Sequence, residues 1–182
     1  MIKGTTMETL SELYHPPHLC LSIQDENDAA AIFNLVQQEK HRLERSMPWP
    51  DYEIRMEHSL YTIKANRDAF IAGTSAVYAI RWDDAIVGIS SFNDIQNKTG
   101  EIGYWVAGAY EGKGIASLAV STMVKAYISA GIIERCVIRA SVENERSNAV
   151  AKRIGFHFQR IDKDAERICN RNVDQNVYHY PA

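Results

Sequence analysis

The residues most suited to chemistry are Glu111-Gly112-Lys113-Gly114-Ile115-Ala116-Ser117, which set two glycines ahead of an apolar helical run. Glycine lets a backbone approach a ligand closely. The first N–H groups of a helix have no intrahelical acceptor and lie in the positive end of its dipole, so they suit an anion, here a phosphate. Spacing narrows the choice. A nucleotide-triphosphatase loop needs Gly-x-x-x-x-Gly-Lys-Ser/Thr, whereas Lys113 lies between the glycines and is followed by no Ser or Thr. A dinucleotide fingerprint needs a third glycine where Ser117 stands, and an acidic residue ending a second strand.

A second cluster is Glu143-Asn144-Glu145-Arg146-Ser147-Asn148-Ala149-Val150-Ala151-Lys152-Arg153-Ile154-Gly155-Phe156. Asn144 suits a helix N-cap, Ala149, Val150 and Ile154 suit a buried face, and Gly155 suits a stop. Candidate bases are carboxylates in the last third of the chain, Asp162, Asp164 and Glu166, with Glu111 as a rival. Trp49, between Pro48 and Pro50, sits on a stiff loop that suits equally a substrate wall or a core cap. His15 and His18 flank two prolines without a third ligand nearby, which argues against a metal.

The elements that must carry these residues follow from periodicity. Residues 101–106 read as a buried strand ahead of the glycine loop, and Ala116, Leu118, Ala119, Val120, Met123 and Tyr127 give the following helix apolar sides. Another strand spans 135–142, so strand, helix and strand imply a right-handed crossover and parallel pairing. Upstream lie a strand at 19–23, a helix capped by Asp25 or Asn27 and running to about residue 43, and a helix from about 54 to Gly73. Residues 77–82 and 85–92 read as a hairpin, turned again at 96–100. Residues 156–162 and 176–180 read as the last strands, joined by a charged loop over 163–171, and residues 1–17 read as irregular. With 182 residues, 46% hydrophobic and 24% charged, the chain suits one globular domain over 1–182. Its net charge of −3 and scattered Lys and Arg speak against nucleic acid. Three distant cysteines, Cys20, Cys136 and Cys169, and the lack of an apolar signal or spanning run suggest a cytoplasmic protein without membrane attachment.

The glycine loop resembles the Gln/Arg-x-x-Gly-x-Gly/Ala pyrophosphate loop of the GNAT family of N-acetyltransferases, with Glu111 where that family carries Gln or Arg. The 144–156 string resembles the family's second signature, which begins at Asn and ends in Gly-Phe. The resemblance implies an α/β GNAT fold: a mostly antiparallel twisted sheet of about seven strands, a central parallel pair splayed around the cofactor, and about four flanking helices. It implies acetyl-CoA as donor, held by Tyr104, Trp105, Val106, residues Glu111 through Ser117, Asn144 and Ser147. A backbone N–H near Val106 would then face the reacting carbonyl oxygen, Ser147 would serve as acid for the departing thiolate, and Glu166 as base. The Glu111 side chain is expected to turn away from the cradle. Trp49, Phe92 and Asn93 are the implied acceptor contacts. Within the family the likeness extends to the branch acting on a protein N-terminal α-amine, the N-terminal serine of the acidic ribosomal stalk protein. A homodimer is implied by the resemblance alone. A small-amine acceptor and a non-catalytic acyl-CoA binding module are the alternatives.

Overall fold

The structure is a computed structural model that describes residues 7–48 and 55–181. In chain order the elements are β1 (Glu12–His15), β2 (Leu19–Ile23), α1 (Ala29–Leu43), α2 (Met56–Ala72), β3 (Ala76–Trp82), β4 (Ala85–Gln96), β5 (Thr99–Val106), α3 (Ile115–Ser129), β6 (Arg135–Ser141), α4 (Glu145–Arg153), β7 (His157–Ile168) and β8 (Arg171–Tyr180). Single 3-10 turns at Glu26–Asp28 and Gly108–Tyr110 precede α1 and the glycine loop. Asp25 caps the first of these turns with a reciprocal capping box to Asp28.

The strands form one sheet in the order β1-β2-β3-β4-β5-β6-β8-β7. Neighbours are antiparallel except β5 and β6, whose parallel pairing follows from the crossover through α3. That pairing runs only from Thr99↔Arg135 to Ile102↔Ile138. Beyond it β5 stays on β4 as far as Val106↔Gly88, and β6 stays on β8 as far as Ser141↔Gln175. The two strands therefore part company after Ile102, and a wedge opens between them.

Side-chain alternation on the pleat sends apolar residues to both faces. On one face Ile115, Ala119, Val120, Met123 and Tyr127 of α3 pack over β3 to β5, where the Tyr78 and Tyr127 hydroxyls meet at 2.8 Å. On the other, Ile32, Val36 and Leu43 of α1 and Ile63 of α2 cover Trp105 and Ile89. Among the described residues no helix is long and apolar enough to cross a membrane.

Three sequence-based expectations are corrected. The sheet has eight strands, because β1 lies within the stretch read as irregular; it is four residues long and buries only Leu13, too little for a periodic signal. The charged loop over 163–171 is instead the continuation of β7 and β8 around a tight turn at Cys169 and Asn170, both at positive φ. Its charges are compatible with a strand because β7 is the sheet edge and buries only Ile168. Phe92 is not an acceptor contact. It is 0% exposed and packs on the Tyr127 ring at 4.8 Å, because alternation along β4 turns Ser91 and Asn93 to the α1–α2 face and Phe92 to the α3 face.

Candidate active site

Gly112 and Gly114 adopt φ of +75° and +77°, a region costly for other residues, and a Cβ on either would meet no atom within 4 Å. The loop therefore curls into open space in front of α3. The first backbone bond there runs from Leu118 N–H to Gly114 O, so the amides of Ile115, Ala116 and Ser117 lie ahead of the helical ladder. They border a cavity of about 790 Å³ between α1, β5 and α4. Arg42, Arg45, Arg146, Arg153 and Arg171 also line it. Arg153 Nη1 donates to Ser117 Oγ at 3.2 Å, which brings a cation to the helix mouth. Open glycines, leading amides and a ring of guanidiniums fit an extended ligand carrying a diphosphate.

Glu111, expected to turn away from the cradle, is held by two arginines. Arg42 Nη1 donates to its Oε1 at 2.7 Å, and Arg146 Nη1 bonds its Oε2. Lys113 does not line the cavity; its Nζ lies 4.9 Å over the Tyr110 ring. Glu111 itself lines the cavity, contrary to the expectation, together with Gly112, Gly114, Ile115, Ala116 and Ser117, as do Tyr104, Trp105 and Val106. The Val106 carbonyl accepts from Arg42 Nη2 at 2.7 Å.

A second cavity, about 900 Å³, lies on the α1–α2 face of β5 and β6. The two cavities meet at Tyr104, Trp105, Ser141, Asn144 and Ser147 along the wedge and at Ser46 and Met47 after α1. Asn144 caps α4, its Oδ1 accepting from Ser147 N–H at 3.1 Å. Tyr104 reaches across from β5 and donates its hydroxyl to Ser147 O at 2.9 Å. Burial pushes the Tyr104 phenol up to about 12, so at neutral pH it remains a donor.

Glu166 lines the second cavity with Glu101, Asn93, Arg139 and Asp162. Its Oε2 accepts from Gln175 Nε2 at 2.8 Å. Burial, reinforced by the charge of Glu101, raises its carboxyl above the usual range despite the Gln175 bond. Asp162 is the opposite case: hydrogen bonds from Arg160 at 2.7 Å and Arg139 at 2.6 Å hold it below the ordinary carboxylate range. Asp164 is exposed and outside the cavity lining, and Glu111 is on the other side of the wedge. Of the four carboxylates considered, only Glu166 is both in this cavity and more basic than usual. Trp49 lies outside the described residues. His18 is engaged by Asp83, Nδ1 to Oδ1 2.6 Å, and stacks on Trp82.

Sequence reading missed Glu101 and the arginine ring. Arg146 and Arg153, seven residues and so two turns apart on α4, carried the one available signal. Arg42 had none, since its partners Val106 and Glu111 lie 64 and 69 residues away.

Residues 18–157 match the family described as acetyltransferase (GNAT) domain. The chain is 34% identical over 155 residues to the ribosomal-protein-serine acetyltransferase of Escherichia coli, covering 84% of this chain and 87% of the relative. A structure of the ribosomal L7/L12 α-N-protein acetyltransferase RimL in complex with coenzyme A superposes with a TM-score of 0.91 at 32% identity, covering 92% of this chain and 96% of that one. The microcin C7 self-immunity acetyltransferase MccE, in complex with acetyl-CoA and AMP, gives 0.86 at 31% identity over 89% and 91%. With its splayed parallel pair and glycine cradle, the chain belongs to the GNAT family and is an acetyl-CoA-dependent N-acetyltransferase.

Proposed function

We propose that the enzyme acetylates a protein N-terminal α-amine, and that its acceptor is the N-terminal serine of the acidic ribosomal stalk protein. The observation that carries the reading is the meeting of two cavities at the wedge, with the more basic Glu166 on the side away from the cradle. Likeness to the ribosomal-protein-serine acetyltransferase supports the acceptor.

In this reading the α3 amides and Arg153 would hold the diphosphate, and Tyr104 and Asn144 would border the pantetheine arm. Acetyl-CoA, when bound, supplies the acetyl group as a thioester. Glu166 would take a proton from the incoming ammonium, directly or through a water, and Ser147 Oγ at the junction would pass a proton to the departing sulfur while recovering one from the newly bonded nitrogen. Proximity of the two groups does the rest. Magnitudes favour an α-amine. With ordinary pKa values near 8 and 10.4, about a tenth of α-amines but under about one in a thousand lysines are neutral at pH 7. The first therefore asks far less of a carboxylate base than the second.

The test is incubation with acetyl-CoA and purified stalk protein, read by intact mass. A single added acetyl at the N-terminal serine is the expected result; no addition to that protein or to other N-terminal peptides overturns the acceptor assignment. Likeness to the microcin self-immunity acetyltransferase favours a second reading, a small-molecule amine, which thiol release across a panel of small amines would support.

A further inference from the structure

Glu111 stands where the family pattern has a neutral or cationic residue, at the entrance to a site for polyanions. A carboxylate there repels the ligand unless its charge is already spent. In the structure it is spent on two arginines, and these differ sharply. Arg42, on α1, has every nitrogen committed: Nε donates to Glu39 Oε2 at 2.6 Å, Nη1 to Glu111 Oε1 at 2.7 Å, and Nη2 to the Val106 carbonyl at 2.7 Å. Glu39 also accepts from Gly108 N–H at 3.2 Å, so this half of the network is fastened to the backbone that enters the cradle. Arg146, on α4, has a side chain 76% exposed and Glu111 as its ion-pair partner among the described residues. Glu111 itself is 25% exposed.

We propose that Glu111 is an affinity-setting residue that competes with the diphosphate for Arg146. In the free enzyme the carboxylate parks Arg146 at the mouth of the cradle. When the diphosphate arrives, Arg146 transfers to it while Arg42 remains and keeps the Glu111 charge compensated. The exchange is inexpensive in both directions, because an ion pair this exposed contributes little stability. Cofactor affinity is set below what the cradle would otherwise give, which favours release of the spent coenzyme. The proposal rests on the diphosphate being seated at the 111–117 loop.

The experiment is calorimetric titration of the whole protein with coenzyme A, with no acceptor present. Glu111→Gln is expected to bind about threefold to tenfold more tightly than wild type at low salt. Arg146→Ala is expected to bind more weakly. In the Arg146→Ala background, Glu111→Gln is expected to bring no further gain, since the object of the competition is gone. An equal gain in both backgrounds means plain repulsion and overturns the competition. Weaker binding by Glu111→Gln means that the carboxylate organises the cradle and also overturns it. Urea unfolding of each variant without ligand removes misfolding as a cause. Ser117→Asp checks the underlying placement, because an acidic residue suits a helix N-terminus while repelling a phosphate there. Coenzyme A binding unchanged by Ser117→Asp overturns the seating at this loop, whereas weakened binding with additive Glu111 effects overturns the competition alone.

Discussion

Two carboxylates facing one cavity have been pushed in opposite directions by their neighbours. Arg139 and Arg160 hold Asp162 in its charged form at any working pH, which makes it a poor proton acceptor. Glu166 has Gln175, a neutral donor, and the charge of Glu101 nearby. Its raised pKa means that activity needing the ionised form falls as pH drops through a value above the usual 4.5 of a glutamate. Glu166→Gln is expected to lower kcat/KM by about a hundredfold or more, within the span of general-base effects. Glu101→Gln removes one of the raising causes, so the acidic limb of the kcat/KM profile is expected to move to lower pH while the basic limb stays. A limb that stays in place in Glu101→Gln, or survives in Glu166→Gln, assigns the titration to another group. Residues acting through local backbone were legible in the sequence: the positive φ of Gly112 and Gly114 and the cap at Asn144 depend on near neighbours. Glu166 was singled out by family likeness alone, and Glu101 and Arg42 were out of reach because their partners are assembled by the fold.

Alternation along a strand decides which side chain faces the cavity and which faces the core. Ser91, Phe92 and Asn93 are adjacent in sequence, yet the pleat sends the outer two toward the cavity and the middle one under α3. Placing Phe92 beside Asn93 as an acceptor contact overlooked this; period-two alternation separates the two. Phe92→Ala is expected to cost about 3–5 kcal/mol, as a cavity left in a packed core does. Urea unfolding reads that loss, and the KM for acceptor in the folded variant should stay within about twofold of wild type; a raised acceptor KM with unaltered stability returns Phe92 to the site. The tail lacks that alternation. Because β7 is an edge strand with solvent on its outer side, its charges follow no apolar rhythm, and composition read it as a loop. The long, strongly periodic elements α1, α3 and β3 to β5 were readable for the converse reason, since each carries a buried face several residues long.

The sheet as a whole turns one failed pairing into a passage. β5 and β6 separate after Ile102↔Ile138, leaving cavities on either side whose common wall must still hold its shape. Tyr104 supplies the fastening. Its hydroxyl spans the wedge to Ser147 O, while Asn144 Oδ1 takes the Ser147 amide, so the residue at the junction is fixed through both backbone groups. Tyr104→Phe keeps the ring and removes the fastening. Loss of one such hydrogen bond is expected to cost about 1 kcal/mol of stability, measured by urea unfolding. If the bond positions Ser147, kcat should fall about tenfold while calorimetric affinity for coenzyme A changes little, a split that a mere wall residue would not give. Ser147→Ala should then subtract less from kcat in the Tyr104→Phe background than it does alone, because one change removes the hydroxyl that the other displaces. Additive losses, or a raised coenzyme A KM with unchanged kcat, would make Tyr104 a lining residue of the cofactor cavity and leave Ser147 positioned by Asn144 alone.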